Sequence, residues 1–201
     1  MSILHKWILC LRNISVWADL LDDPSIDAVY IPLPNGLHYE WALKSLKAGK
    51  HVLLEKPSTS NASEAKKLFN HPLLSQPNAP VLLEAFHYRF HPAWQTFLSL
   101  VAPQREHITR AASYHYMPKG FMPYTDIRFK YSLAGGAVMD FGTYNINCLR
   151  QIFGTEPEEC VEATHRGIPP PGDREIDEVE LGHRAHLERR LRDRWRRRDE
   201  A

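Results

Sequence analysis

Through the first hundred positions, short apolar runs alternate with amphipathic stretches of about ten residues, and this alternation leaves few folds open. Ala28–Ile31, His51–Glu55 and Val81–Glu84 are brief apolar runs bounded by turn signals, so each reads as a buried strand. Between them, His38–Ala48 places Trp41, Leu43, Leu46 and Ala48 where a helix would bury them, and Gly49 follows as the terminating residue. Asn61–Phe69 reads as a second helix, with Asn61 as cap and Glu64 three residues on. Pro92–Val101 is a third helix, opened by its proline. A shorter one, Ser15–Leu21, precedes the turn Asp22-Asp23-Pro24-Ser25. Strand–helix alternation of this kind predicts a parallel α/β sheet with right-handed crossovers.

After Val101 the pattern changes. Ile108–Tyr116 reads as a strand, Met117–Ser132 as a long loop, Ala137–Ile152 as a helix entered through Gly135-Gly136, and Cys160–His165 as another strand. Three consecutive prolines make Gly167–Gly172 a loop. The expected division is residues 1–15, 16–101, 102–180 and 181–201: a leading segment, a parallel α/β domain, an α+β domain and an Arg-rich tail. That tail carries eight arginines against four acids from Gly182 onward. It reads as a basic helix for a partner or acidic surface, as an exposed helix, or as a disordered tail.

Overall net charge is only +1, which gives no support to a nucleic-acid or membrane-surface protein. No stretch approaches the roughly 20 apolar residues of a membrane span. The three cysteines, Cys10, Cys148 and Cys160, fit neither a disulfide framework nor a zinc site, and a cytoplasmic setting is expected.

The chemistry concentrates at strand ends. Glu55-Lys56-Pro57 closes the second apolar run, and a lysine there points into the crevice where parallel sheets bind ligands. Its ammonium can donate to a substrate hydroxyl, and Pro57 holds Lys56 extended; taken alone, the tripeptide also suits a surface lysine before a turn. Pro34, Asn35 and His38 follow the first run on the same rim, and His87 and Arg89 follow the third. His87 and His91 are spaced like a zinc pair, but Pro92 follows and no third ligand is evident, so no metal is expected. Arg89 reads either as a contact to cofactor or substrate oxygens or as an ion-pair residue. Asp140 and Tyr144, four apart on the Ala137–Ile152 helix, would share one face. A phenol beside an ammonium loses its proton more easily.

These four motifs, in this order from about Val16 to Glu178, resemble the Gfo/Idh/MocA oxidoreductases, and within them the branch of dimeric dihydrodiol dehydrogenases and NADP-dependent D-xylose 1-dehydrogenases. The resemblance implies a Rossmann domain followed by a domain with a mostly antiparallel sheet that also serves dimerisation. It implies an enzyme that passes hydride between a sugar or diol hydroxyl carbon and NADP (or NAD). Lys56, Tyr144 and Asp140 would be catalytic, Tyr144 with Lys56 as base and Asp140 orienting hydroxyls. Pro34, Asn35, His38, Glu55, Lys56, Pro57 and Arg89 would line the cofactor; His87, Arg128 and Asp140 would meet substrate. The Lys56-Pro57 bond would be cis, and a homodimer is implied for intact relatives.

The chain departs from the family pattern in one direct respect. It has ten glycines, none before Gly36, and no G-x-G-x-x-G run. In a Rossmann domain those glycines let backbone N–H groups cradle the pyrophosphate. Met1–Ser15 does not resemble the family's first βαβ unit, and the text beyond Glu178 departs from it as well, so the chain reads as truncated at both ends with cofactor binding weakened. The alternative reading is a non-catalytic remnant, or an association partner of an intact family member.

Overall fold

Three parallel strands, β1 (Ala28–Ile31), β2 (His51–Leu54) and β3 (Leu82–Glu84), lie in the order β1-β2-β3. The computed structural model describes residues 15–118, 120–160, 164, 167–168, 173–177 and 185–188. These residues form two units, one from the chain up to Phe86 with Ser132–Ala134, the other from His87–Tyr131 with the residues from Gly135 on.

In the first unit the strands appear where the apolar runs predict them, and period-2 alternation sets their buried face. Val29 pairs with Val52 and Val52 in turn with Leu82, while Ile31 pairs with Leu54 and Leu54 with Glu84, so these rows share one face. Val29, Ile31, Val52 and Leu54 are buried there beside Ala42, Leu46 and Leu68. Ala42 and Leu46 come from helix α2 (His38–Lys47) and Leu68 from α3 (Ala62–Phe69); Leu20 and Leu21 of α1 (Ser15–Asp22) pack at the margin. Each fully buried Leu contributes about 1.5–3 kcal/mol, so Leu46, Leu54 and Leu68 anchor this unit. The opposite row is poorly covered within the unit: Leu83 is 49% exposed.

Local signals act as read. Asn61 Oδ1 accepts the Glu64 N–H at 2.9 Å, while Glu64 reaches back to the Ser60 N–H at 3.0 Å. Gly49 takes φ +75° just past α2, and Pro92 opens helix α4 (Pro92–Val101).

In the second unit, strand β4 (Arg110–Ser113) is shorter than the predicted Ile108–Tyr116, its four residues matched by the four of its partner strand. β4 pairs antiparallel with β5 (Ala185–Glu188). Those four residues, read from sequence within a basic helix or tail, are therefore strand. The predicted strand Cys160–His165 lies largely outside the described residues, as does most of 181–201. The loop Met117–Ser132 contains 3-10 turns at Ile127–Phe129 and, just at its end, Tyr131–Leu133.

Helix α4, placed by the sequence at the close of the first domain, packs within the second unit. The reason lies in polar links to helix α5 (Thr143–Phe153): Trp94 Nε1 donates to Gln151 Oε1 at 3.1 Å, and the Tyr88 hydroxyl to Asn147 Oδ1 at 2.7 Å. The predicted single helix Ala137–Ile152 is also divided. Val138–Gly142 forms a π-helical turn, marked by the Thr143 N–H reaching the Val138 carbonyl, before regular α5 begins. At its far end α5 stops on Gly154 at φ +66°, where Arg105 caps it: Nε donates to the Ile152 carbonyl at 3.1 Å and Nη2 to that of Gln151 at 2.9 Å. Two charge-assisted bonds to otherwise unpaired terminal carbonyls stabilise the helix. Arg105→Met is expected to cost about 1–3 kcal/mol, read as a lower urea midpoint with unchanged m-value.

Candidate functional site

The carboxyl ends of β1 and β2 carry the first half of the predicted site. Beyond β1 the chain enters a 3-10 turn at Asn35–Leu37, and the first residue of α2 is His38. His38 is fully buried, with Nδ1 2.7 Å from the Pro57 carbonyl and Nε2 2.7 Å from the Leu33 carbonyl. Read from sequence as a cofactor contact, it ties the loop after β1 to the loop after β2, and both ring nitrogens face backbone. Asn35 likewise uses its amide nitrogen internally, on the Ala134 carbonyl at 2.9 Å.

Beyond β2, Glu55 accepts the Tyr30 hydroxyl at 2.5 Å and the Lys56 N–H at 3.2 Å. Burial, reinforced by that carboxylate, pushes the Tyr30 phenol up to about 12. The Lys56-Pro57 bond is cis. Pro57, Ser58 and Thr59 are buried, while Lys56 is half-buried at the rim. A further residue supports this turn: Glu84 Oε1 accepts both the Ser58 N–H at 3.0 Å and the Ser58 hydroxyl at 2.7 Å. Sequence reading assigned Glu84 no role. Its signal was available, since an acid ending a strand on the buried-face row needs a partner.

The second unit holds His87, Arg89, Arg128, Asp140 and Tyr144. Tyr144 sits among rings: its centroid is 5.5 Å from Tyr88, 6.4 Å from His115 and 6.5 Å from His87. His115, unassigned from sequence, stacks on Phe141 at 4.2 Å. Of the two neighbouring tyrosines, Tyr88 is locked between Asn147 and Gln151, and burial foremost pushes it up to about 12. Tyr88 is thus a poor proton acceptor at neutral pH. Cys148 is held up by burial too, which disfavours a thiolate nucleophile. Arg89 lies exposed on the 3-10 turn His87–Phe90.

Arg128 and Asp140, predicted separately, form an ion pair at 2.7 Å, and Asp126 joins it at 3.0 Å. The Asp126 carboxyl is held below the usual carboxylate range, first by the Arg128 backbone N–H. Gly136, at φ +120°, lets the chain pass Asp177, whose carboxylate receives the Val138 N–H at 2.7 Å and so caps the π-turn. Among the described residues no cluster of His, Cys, Asp or Glu is suited to a metal, and no helix is long and apolar enough to cross a membrane.

As for an NAD(P) cofactor, the donor set tests the fit. A half-buried lysine ammonium beyond a parallel strand, on a turn fixed by His38 and Glu84, suits the ribose and nicotinamide end. A glycine-rich turn for the pyrophosphate does not occur in the 201 residues.

A parallel sheet with its chemistry at the strand ends, joined to a helix-and-antiparallel-strand unit, defines an α/β nucleotide-binding oxidoreductase type of chain. Residues 9–72 match the family model described as "Oxidoreductase family, NAD-binding Rossmann fold", which starts seven residues ahead of where the sequence resemblance was read. D-xylose 1-dehydrogenase (NADP(+)) 2 of Haloferax volcanii is 42% identical over 138 residues, 68% of this chain and 41% of that protein. A 3-ketoreductase from Actinomadura kijaniata, solved with NADP and TDP-benzene, is 33% identical with a TM-score of 0.66, covering 86% of this chain and 50% of that one. A levoglucosan dehydrogenase solved with NADH and levoglucosan gives 27% and 0.66, covering 80% and 45%. This chain belongs to the Gfo/Idh/MocA oxidoreductase family. It spans half or less of the length of these relatives.

Proposed function

We propose that the chain belongs to an NAD(P)-dependent oxidoreductase acting on a sugar or diol hydroxyl, of the D-xylose 1-dehydrogenase or trans-1,2-dihydrodiol dehydrogenase type. The observation that carries this reading is Lys56, presented beyond β2 on a turn that His38 and Glu84 hold from both sides. The similarity to an NADP-dependent xylose dehydrogenase and to an NADP-bound ketoreductase supports it.

The bound nicotinamide would supply the hydride acceptor. Lys56 donates a hydrogen bond to the reacting hydroxyl or to ribose. Asp140, a carboxylate beside Arg128, orients substrate hydroxyls by accepting from them. Tyr144 takes the hydroxyl proton as general base. Pro34, Asn35, Glu55 and Pro57 shape the cofactor-side wall, and Arg89 and His87 complete the polar groups near the cofactor and substrate. The setting is cytoplasmic, and intact family members would pair as homodimers.

For the polypeptide alone, the missing glycine turn removes two or three charge-assisted hydrogen bonds of about 1.5–3 kcal/mol each. Its NADPH affinity is expected to fall on the order of 1,000-fold below that of a full-length relative. NADPH fluorescence titration, followed by turnover with D-xylose, checks this. Weak saturable binding with slow D-xylose oxidation supports the dehydrogenase reading; no binding at millimolar NADPH removes it for this polypeptide. The second reading is an association partner of an intact family member, which the missing glycine turn favours. Mixing with a full-length homologue and measuring mass decides it, since a chain that stays monomeric or self-aggregates contradicts association.

A further inference from the structure

Arg128 is engaged through its backbone and through two of its guanidinium nitrogens. Its Nε donates to Asp140 Oδ2 at 2.7 Å, and its Nη1 to Asp126 Oδ1 at 3.0 Å. The same Asp126 oxygen accepts the Arg128 backbone N–H at 3.0 Å. The Arg128 carbonyl accepts the Gly136 N–H at 2.8 Å. Gly135 passes so close that a Cβ there would fall 2.4 Å from that carbonyl oxygen. Backbone and guanidinium are thus fixed together, immediately ahead of the turn that carries Asp140.

We propose that Arg128 is a positioning residue that sets the orientation of Asp140, with Asp126 as its backstop, rather than a residue that touches substrate. The inference rests on the reading of Asp140 as the group that orients substrate hydroxyls. Asp140 is the most enclosed of the three side chains, at 15% exposure against 27% for Asp126 and 40% for Arg128. A carboxylate so enclosed is held in one rotamer by a fixed cation donating directly to it. A guanidinium serves two carboxylates at once because its N–H vectors are rigid and planar; a lysine ammonium at the same place has no such geometry. Asp126 holds the guanidinium in line, so Asp140 receives a bond of constant direction.

A double-mutant cycle on the full chain separates positioning from substrate contact. Arg128→Gln is expected to lower kcat/KM with D-xylose on the order of 100-fold in the native background, the scale of a misplaced reacting group. In an Asp140→Asn background the same change should cost less than about threefold. An equal loss in both backgrounds overturns the proposal, because it signals a substrate contact of its own or a general effect on folding. Arg128→Lys should recover little of the loss; full recovery contradicts the role of the planar fork. If the native chain shows no turnover, the dehydrogenase reading fails, and the pairing is read independently by NMR. The Arg128 Nε–H should exchange slowly with solvent and lose that protection in Asp140→Asn. A rapidly exchanging Nε–H in the native chain overturns the proposal by itself.

Discussion

Lys56→Met should lower kcat for sugar oxidation by about 10²–10⁴, the range that a positioned proton donor or acceptor supplies. Three features of the first unit make this effect specific. Lys56 stands at the rim beyond β2, while its neighbours Pro57, Ser58 and Thr59 are buried and anchor the turn. The anchors are backbone carbonyls and a carboxylate, namely His38 against Pro57 and Glu84 against Ser58, so removing the ammonium leaves the support intact. Methionine keeps the length and apolar stem of lysine. The rate should therefore fall by orders of magnitude while these anchors stay in place. NADPH titration of the variant separates the roles. Unchanged affinity with lost kcat assigns Lys56 to the reacting hydroxyl; lost affinity with unchanged kcat assigns it to the cofactor ribose. A variant retaining native kcat and native affinity would remove Lys56 from the chemistry.

Gly135→Ala should be severely destabilising, costing about 3 kcal/mol or more. The added Cβ would lie 2.4 Å from the Arg128 carbonyl oxygen, 2.7 Å from its carbon and 3.0 Å from the Ile127 oxygen. All three are backbone atoms, and none can yield locally. The Arg128 N–H and guanidinium are held by Asp126 and Asp140, and its carbonyl is held by Gly136. Relief of the clash would therefore displace the loop and the ion pair together. Gly120 provides the control. It has φ +76° but nothing within 4 Å of a built Cβ, so Gly120→Ala should cost only about 1–2 kcal/mol of backbone strain. Urea denaturation of both variants tests the contrast, and equal destabilisation would contradict the steric argument.

The sheet of the first unit was legible because its information is local. Each strand is an apolar run between turn residues, and helices α2 and α3 carry their own local signals, Gly49 past the end of one and Asn61 capping the other. The site was legible as residue identities but less so as contacts. His38 lies on a helix whose period gives no hint that two carbonyls, from Leu33 and Pro57, would converge on its ring. The Arg128–Asp140 pair spans twelve residues of irregular loop, where no periodicity relates one position to the other. Asp126 was closer to recognition: an acid two residues before the N–H it accepts is a local turn pattern. The placement of α4 was hidden for a different reason. The bonds to α5 come from Trp94 on the helix and Tyr88 just ahead of it, and their partners lie 57 and 59 residues away in sequence.

The π-helical turn at Val138–Gly142 affects how Asp140 and Tyr144 are aimed. A regular helix advances about 100° per residue, so residues four apart nearly eclipse. A wider turn resets that angular phase between the carboxylate inside it and the phenol just after it. The two side chains are thereby clocked independently of the strict helical rule, and a one-residue deletion in the turn would rotate every later position of α5 by roughly a quarter-circle or more. The helix then has a fixed rotational origin: Asp177 pins it at one end, Arg105 at the other, and the wide turn stores the offset between them.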